Sequence, residues 1–254
     1  MAITTNFDKG VAQITIDRPE KRNTLDTMHC VELTKQLNDA DSNPNIKAIV
    51  LTGLTNVFIA GLDIQEMHAD PHTLVDAFDK LMIQIDQMTK PVIAAVNGPA
   101  VAQGVAVLYH CDMVYCSEHS LFSLPNVALG LTPQYGTSLL TVRSAGYRMA
   151  FRKIAAAEPI SPAEAVEMGI VNNVLSDDKV LSQAIGMASR LASMPPRALY
   201  ETKQLLKDIY FKGLGKQAKV EHDVYTELLD GPEHKEALAA FMENRKPDFT
   251  PKGN

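Results

Sequence analysis

The chain has 254 residues, 46% of them hydrophobic and 21% charged. These are the proportions of a soluble globular protein of one large or two modest domains, and they exclude a disordered chain or a disulfide-stapled miniature. Its 24 basic and 30 acidic side chains leave a net charge of -6, which argues against an extended nucleic-acid footprint.

Cys30, Cys111 and Cys116 have no metal-type spacing and fit a reducing compartment. The apolar runs are strand-sized, and Met1 to Asp8 carries neither the basic patch nor the apolar stretch of an export signal. The expectation is a cytoplasmic protein with no membrane or nucleic-acid partner.

The first predicted element is a strand over Val11–Asp17, where Ile14 and Ile16 alternate with threonines and Arg18-Pro19 closes the run. Buried-type strands follow at Ala48–Thr52, Val92–Val96 and Met113–Cys116. Leu74, Val75, Phe78, Leu81, Met82, Ile85 and Met88 recur at helical spacing, with Asp70-Pro71 as cap and first turn. Ser161-Pro162-Ala163-Glu164 is a capping box, and Gly169 stops its helix after Met168. Strands alternating with helices predict an α/β fold with parallel pairing. Past Met194-Pro195-Pro196 only helical stripes appear, Leu199, Leu205, Leu206 and Ile209 in one and Val220, Val224 and Leu228 in another. The chain divides into an α/β body over 1–193 and a helical region over 194–254, which must pack on the body or on another subunit.

Two glycine-containing turns follow strands: Phe58-Ile59-Ala60-Gly61-Leu62-Asp63, and Asn97-Gly98-Pro99-Ala100-Val101-Ala102-Gln103-Gly104. Such junctions expose backbone N–H groups near the positive end of a helix, and two aimed at one point bind an oxygen that gains negative charge. From spacing alone, ordinary turns of an α/β fold are the better explanation.

At these residues the sequence resembles the crotonase, or enoyl-CoA hydratase/isomerase, superfamily. The resemblance runs from Ile16-Asp17-Arg18-Pro19 through Ala60-Gly61-Leu62-Asp63-Ile64, Lys90-Pro91-Val92-Ile93-Ala94-Ala95-Val96-Asn97-Gly98 and Phe122-Ser123-Leu124-Pro125 to Ala240-Phe241-Met242-Glu243-Asn244-Arg245. It implies a crotonase-like spiral of ββα repeats with a C-terminal helical region that builds trimers, often paired into hexamers. It implies an acyl-CoA thioester as substrate and no cofactor beyond the coenzyme A that the substrate carries. The thioester oxygen would sit between the N–H groups of Leu62 and Gln103. Coenzyme A would be bound by Lys21, Arg22, Ala60, Gly61, Asp63, Ile64 and Phe241. Gln103 departs from the glycine of many hydratases, restricting φ and adding bulk.

The acid–base positions depart further. The two hydratase glutamates fall on Ala106 and Asn126, and neither side chain transfers a proton near neutral pH. The Δ3,Δ2-enoyl-CoA isomerase branch is locally more similar, through Asn97–Val101, His110-Cys111-Asp112 and Leu129-Gly130-Leu131-Thr132-Pro133. Its acid falls on Gln134. Tyr135 follows, a weak base unless perturbed, and it reads better as a packing residue with a hydrogen-bonded hydroxyl. Asp63 reads as a capping residue and Glu66 as an exposed one. His110 and Cys111 read as core, and Ser138 has no cue for an activating partner. His68 and His72 are separated by Pro71, which breaks the helix that would align them, so no metal is expected. The sequence therefore reads as an enoyl-CoA hydratase or isomerase that stabilises a thioester enolate. Its alternatives are a non-catalytic acyl-CoA-binding homologue and a divergent hydrolase or decarboxylase.

Overall fold

The computed structural model describes residues 3–53 and 56–250; residues 1–2 and the last four of the 194–254 stretch lie outside them. The chain opens on a strand that the sequence reading misses, β1 (Ile3–Asp8), antiparallel to β2 (Val11–Ile16). Five of its six residues are exposed, so it carries no apolar alternation to read.

Helix α1 (Thr27–Ser42) leads to β3 (Ala48–Gly53), then α2 (Ile64–Ala69), α3 (Pro71–Gln87) and β4 (Val92–Val96). The short β5 (Ala100–Val101) precedes α4 (Gln103–His110), β6 (Met113–Ser117) and β7 (Phe122–Ser123). Helices α5 (Thr137–Ala145), α6 (Tyr147–Ala155) and α7 (Pro162–Glu167) come before the last described strand, β8 (Asn173–Leu175). The chain then runs through α8 (Asp177–Ala192), α9 (Pro196–Tyr210), α10 (Leu214–Leu229) and α11 (Pro232–Met242). The capping box forms as the sequence predicts, with Ser161 Oγ accepting from Glu164 N and Glu164 reaching back to Ser161 N. Asp70 caps α3.

The main sheet has the order β1-β2-β3-β4-β6-β8 and is parallel from β2 onward. Every residue of β3 and β4 is buried, because helices cover both faces. On one face α8 lays Val180, Ala184, Ala188 and Ala192 over Val50, Ile93 and Tyr115. On the other, α1 and α3 supply Leu33, Leu37, Leu74, Phe78, Leu81 and Ile85.

A second, discontinuous ladder runs beside this sheet. Leu25 pairs with Leu62, Ile59 with Ala100, β5 with β7, and Phe122 with Ile160. Each turn of the chain thus adds one pairing to each ladder, and the glycine turns lie on the inner one. Among the described residues no helix is long and apolar enough to cross a membrane. Leu205, Leu206 and Ile209 on α9 are 65%, 63% and 77% exposed in the single chain, so this predicted stripe does not pack on the chain's own body.

Candidate active site

The first turn is fixed by its pairing with Leu25. Leu25 N–H donates to the Gly61 carbonyl at 2.9 Å and Asp63 N–H donates to the Leu25 carbonyl at 2.9 Å. In a parallel bridge this pattern turns the N–H of the intervening residue, Leu62, to the opposite side. Three residues earlier, Ile59 pairs with residues 99–101 of the second turn, through Val101 N–H to the Ile59 carbonyl at 2.9 Å. The pairing ends at Ile59, so Leu62 N–H is left without an acceptor among the described residues.

The second turn supplies the matching donor. Gln103 is the first residue of α4, so its N–H has no acceptor within the helix and stands at the positive end of the helix dipole. The two turns touch: a Cβ built on Gly61 would lie 3.5 Å from Gln103 Oε1 and 3.6 Å from the Val101 carbonyl oxygen. Gly104 permits this approach, since a Cβ there would stand 2.3 Å from the Ile59 carbonyl oxygen.

The conformational burden expected at Gln103 falls one residue earlier. Gln103 is helical, and Ala102 adopts φ 48°, ψ -106°. An alanine held in that region costs about 1–3 kcal/mol, which the surrounding ladder must sustain. The Ala102 N–H bond to the Ser123 carbonyl, 2.8 Å, is part of that ladder. The Gln103 side chain meets the hydroxyl of the fully buried Tyr225.

The positions to which the resemblance assigns acid–base groups line one space. Ala102, Gln103, Ala106, Asn126, Gln134 and Tyr135 help enclose a cavity of about 10 Å³, room for one water. Both amide atoms of Gln134 are buried without a hydrogen-bond partner. Tyr135, at φ 60°, packs its ring 5.0 Å from that of Phe78. His110 Nε2 donates to the Tyr135 carbonyl at 2.9 Å, which is the structural role expected of this core histidine.

Gln134 and Tyr135 also form one wall of a much larger cavity of about 540 Å³. This space touches neither glycine turn. Met82, Ile83, Phe211 and Leu214 give it an apolar lining, and Asp79, Asp86, His110 and His222 add polar groups. Burial raises the Asp79 carboxyl above its ordinary range, opposed by contacts with Tyr135 and His222. Tyr135 is also raised, by burial first and then by the Asp79 charge, so its phenol is protonated at neutral pH.

Other expected residues take varied places. Asp63 Oδ1 caps α2 by accepting from Gln65 N at 3.0 Å, and Oδ2 lies 3.3 Å from Arg18 and 3.6 Å from Lys21. Lys21 also donates to Gln65 Oε1 at 2.8 Å, and Arg22 is exposed beside it. Lys21 therefore stands near the first turn. Ala60 and Ile64, which flank it, are half-buried. Phe241 is exposed on α11 and lines neither cavity.

Glu66 is not on a free helical face: it is half-buried, and its Oε2 accepts from Thr27 N at 2.9 Å. Ser138 does have a carboxylate partner. Glu221 accepts from Ser138 Oγ, from Ser138 N at 2.9 Å and from Gly136 N at 2.6 Å, which ties α10 to the start of α5. Asp79 and Glu221 both escape sequence reading. They lie on ordinary amphipathic helices, and only the packing of α10 against α3 and α5 gives them meaning. Burial pushes the Cys111 and Cys116 thiols up to about 12, so neither is a ready nucleophile.

A family model described as enoyl-CoA hydratase/isomerase matches residues 6–252. The chain belongs to the enoyl-CoA hydratase/isomerase family. Among its relatives is 2,3-dehydroadipyl-CoA hydratase of Escherichia coli, 32% identical over 94% of each chain. Short-chain-enoyl-CoA hydratase of Clostridium acetobutylicum is 30% identical over 93% of this chain and 92% of the relative. The crystal structure of an enoyl-CoA hydratase/isomerase from Pseudoalteromonas atlantica superposes with a TM-score of 0.92, at 30% identity, over 98% of this chain and all of that one. The structure of Pseudomonas aeruginosa OdaA gives 0.91 at 32% identity, over 95% and 98%. The fold is therefore that of the crotonase superfamily, and an enzyme of hydratase/isomerase type is its setting.

Proposed function

We propose that the protein binds an enoyl-CoA thioester and moves its double bond between the 3- and 2-positions through an enolate held by Leu62 N–H and Gln103 N–H. The observation that carries this reading is the contact of the two turns at Gly61 and Gln103, with an unused backbone donor on each. Donors placed in advance bind the developing oxyanion more tightly than the ground-state carbonyl, and one such donor contributes about 2.7–4 kcal/mol to the transition state. Lys21, near the first turn, and Arg22, next to it in the chain, suit the phosphates of coenzyme A.

The residues around the small cavity favour isomerisation over hydration. Hydration must remove a proton from water and deliver one to the α-carbon, and Ala106 and Asn126 do neither. Isomerisation needs only one group that takes a proton from the α-carbon and returns it to the γ-carbon.

The test is to incubate purified protein with a 3-enoyl-CoA and follow absorbance of the conjugated thioester, with 2-enoyl-CoA in parallel. Conjugation of the 3-enoyl substrate is expected. Acyl-CoA binding with no turnover of either would replace the enzyme reading with a binding protein, and free thiol release would replace it with a hydrolase.

A further inference from the structure

Ala106, Asn126 and Gln134, to which the resemblance assigns acid–base groups, carry no carboxylate, and Tyr135 beside them shares its other cavity with Asp79 and His222. Its hydroxyl is buried with no hydrogen-bond partner among the described residues, and Tyr135 and Asp79 line the same cavity. Asp79 Oδ2 lies 2.9 Å from His222 Nδ1. Tyr135 is the wall between the small cavity at the turns and the larger apolar one.

We propose that Tyr135 and Asp79 form the proton relay of this enzyme, with the Tyr135 hydroxyl at the reacting carbons and Asp79 behind it as a positioning and proton-storing residue. The inference rests on the enolate reading above. In the first half, the α-carbon C–H bond breaks and its proton goes to the Tyr135 oxygen, while the phenolic proton passes to the Asp79 carboxylate. The electron pair moves into the enolate held by the two N–H groups. In the second half, Asp79 returns its proton to Tyr135, whose own proton forms the new C–H bond at the γ-carbon. The enolate collapses to the conjugated thioester and both side chains regain their starting states. No other reactant is needed. The relay avoids a free tyrosinate, which burial makes costly.

The groups facing this pair are Asp76 on α3, His222 and Tyr225 on α10, and Cys30 on α1. Lys219 and Asp86 line the same cavity farther along. The relay starts with Asp79 ionised, so kcat falls as acid protonates it. Burial places that acidic limb above the ordinary carboxylate range, and the charge of His222 opposes the rise.

The experiment measures kcat, KM and the pH profile for conjugation of a short-chain 3-enoyl-CoA by the native protein and by Asp79→Asn, Tyr135→Phe, the double variant and His222→Gln. Each single relay substitution is expected to lower kcat by about 10²–10⁴-fold, the range of a lost general acid–base group, with little change in acyl-CoA binding. The double variant should be no slower than the slower single, because the two residues act in one path. Asp79→Asn should abolish the acidic limb, and His222→Gln should move it to higher pH. Retained acyl-CoA binding shows that a variant is folded, and Asp79→Glu should recover part of kcat. An Asp79→Asn protein with native kcat and an intact acidic limb would overturn the relay alone. A native protein that conjugates no 3-enoyl thioester would overturn the relay and the enolate reading together.

Discussion

Gly104 lies against Ile59 so closely that a Cβ on residue 104 would stand 2.3 Å from the Ile59 carbonyl oxygen. Ile59 belongs to the first turn and Gly104 to the second, so this contact sets how closely the two turns approach. Backbone cannot yield as a flexible side chain does. Gly104→Ala is expected to push the turns apart, destabilising the protein by about 1–3 kcal/mol as overpacking does. On the proposed reading it should also lower kcat by about 10²-fold, as one of the two proposed oxyanion donors loses its aim. Urea denaturation and steady-state kinetics check the pair of effects. A stable variant with native kcat would disconnect the turn contact from catalysis.

Ala102 is the counterpart, a site where glycine should help. At φ 48°, ψ -106° it holds a conformation that costs a non-glycine residue about 1–3 kcal/mol. Glycine adopts it freely but gives up about 0.5–1 kcal/mol to its greater freedom when unfolded. Ala102→Gly is therefore expected to raise stability by about 1 kcal/mol, read as a higher urea midpoint at unchanged slope. A lower midpoint would mean that the methyl group contributes packing that outweighs the strain.

Much of this arrangement is legible in the sequence, for reasons that differ by element. Buried strands such as Val92–Val96 announce themselves because both faces are covered, and the box at Ser161 because capping needs those residue types at that spacing. β1 is invisible, since an exposed edge strand carries no apolar pattern. The glycine turns are visible as motifs, but their convergence depends on single pairings such as Leu25 with Leu62, which no periodicity encodes. That positions 106, 126 and 134 carry Ala, Asn and Gln rather than carboxylates is plain from the sequence. What faces Tyr135 is not, because Asp79 and His222 lie 143 residues apart on two helices whose polar faces look like any others.

Gln134 offers a direct test of the small cavity. Both of its amide atoms are buried and unpartnered, so a carboxyl placed there has little solvation and its pKa should rise toward neutrality. Gln134→Glu is expected to raise 3-enoyl-CoA isomerisation by about 10²-fold, the low end for an added general base. The gain should appear only above the raised pKa, where the new carboxyl is ionised. The variant should also lose stability as pH rises, because its folded state holds the proton that the unfolded state gives up. A folded variant with an unchanged rate would remove residue 134 from the base position.

The capping box gives a pH dependence of opposite sign. Hydrogen bonds from Lys153 Nζ at 2.8 Å and from Ser161 N at 2.9 Å hold the Glu164 carboxyl down to about 2, against a usual 4.5. Its folded pKa lies below its unfolded one, so its stabilising contribution is fully present above about 4.5 and lost as pH falls toward 2. Glu164→Gln removes the titrating group while keeping a side chain that can still accept from Ser161. Thermal midpoints of the native protein should therefore fall more steeply between these two values than those of the variant, and the two curves should run parallel above pH 5. Lys153 is buried with its Nζ on Glu164 and the Pro159 carbonyl, so its amine keeps one partner when the carboxyl is protonated. Identical acid slopes for the two proteins would show that this carboxylate titrates as it does in the unfolded chain.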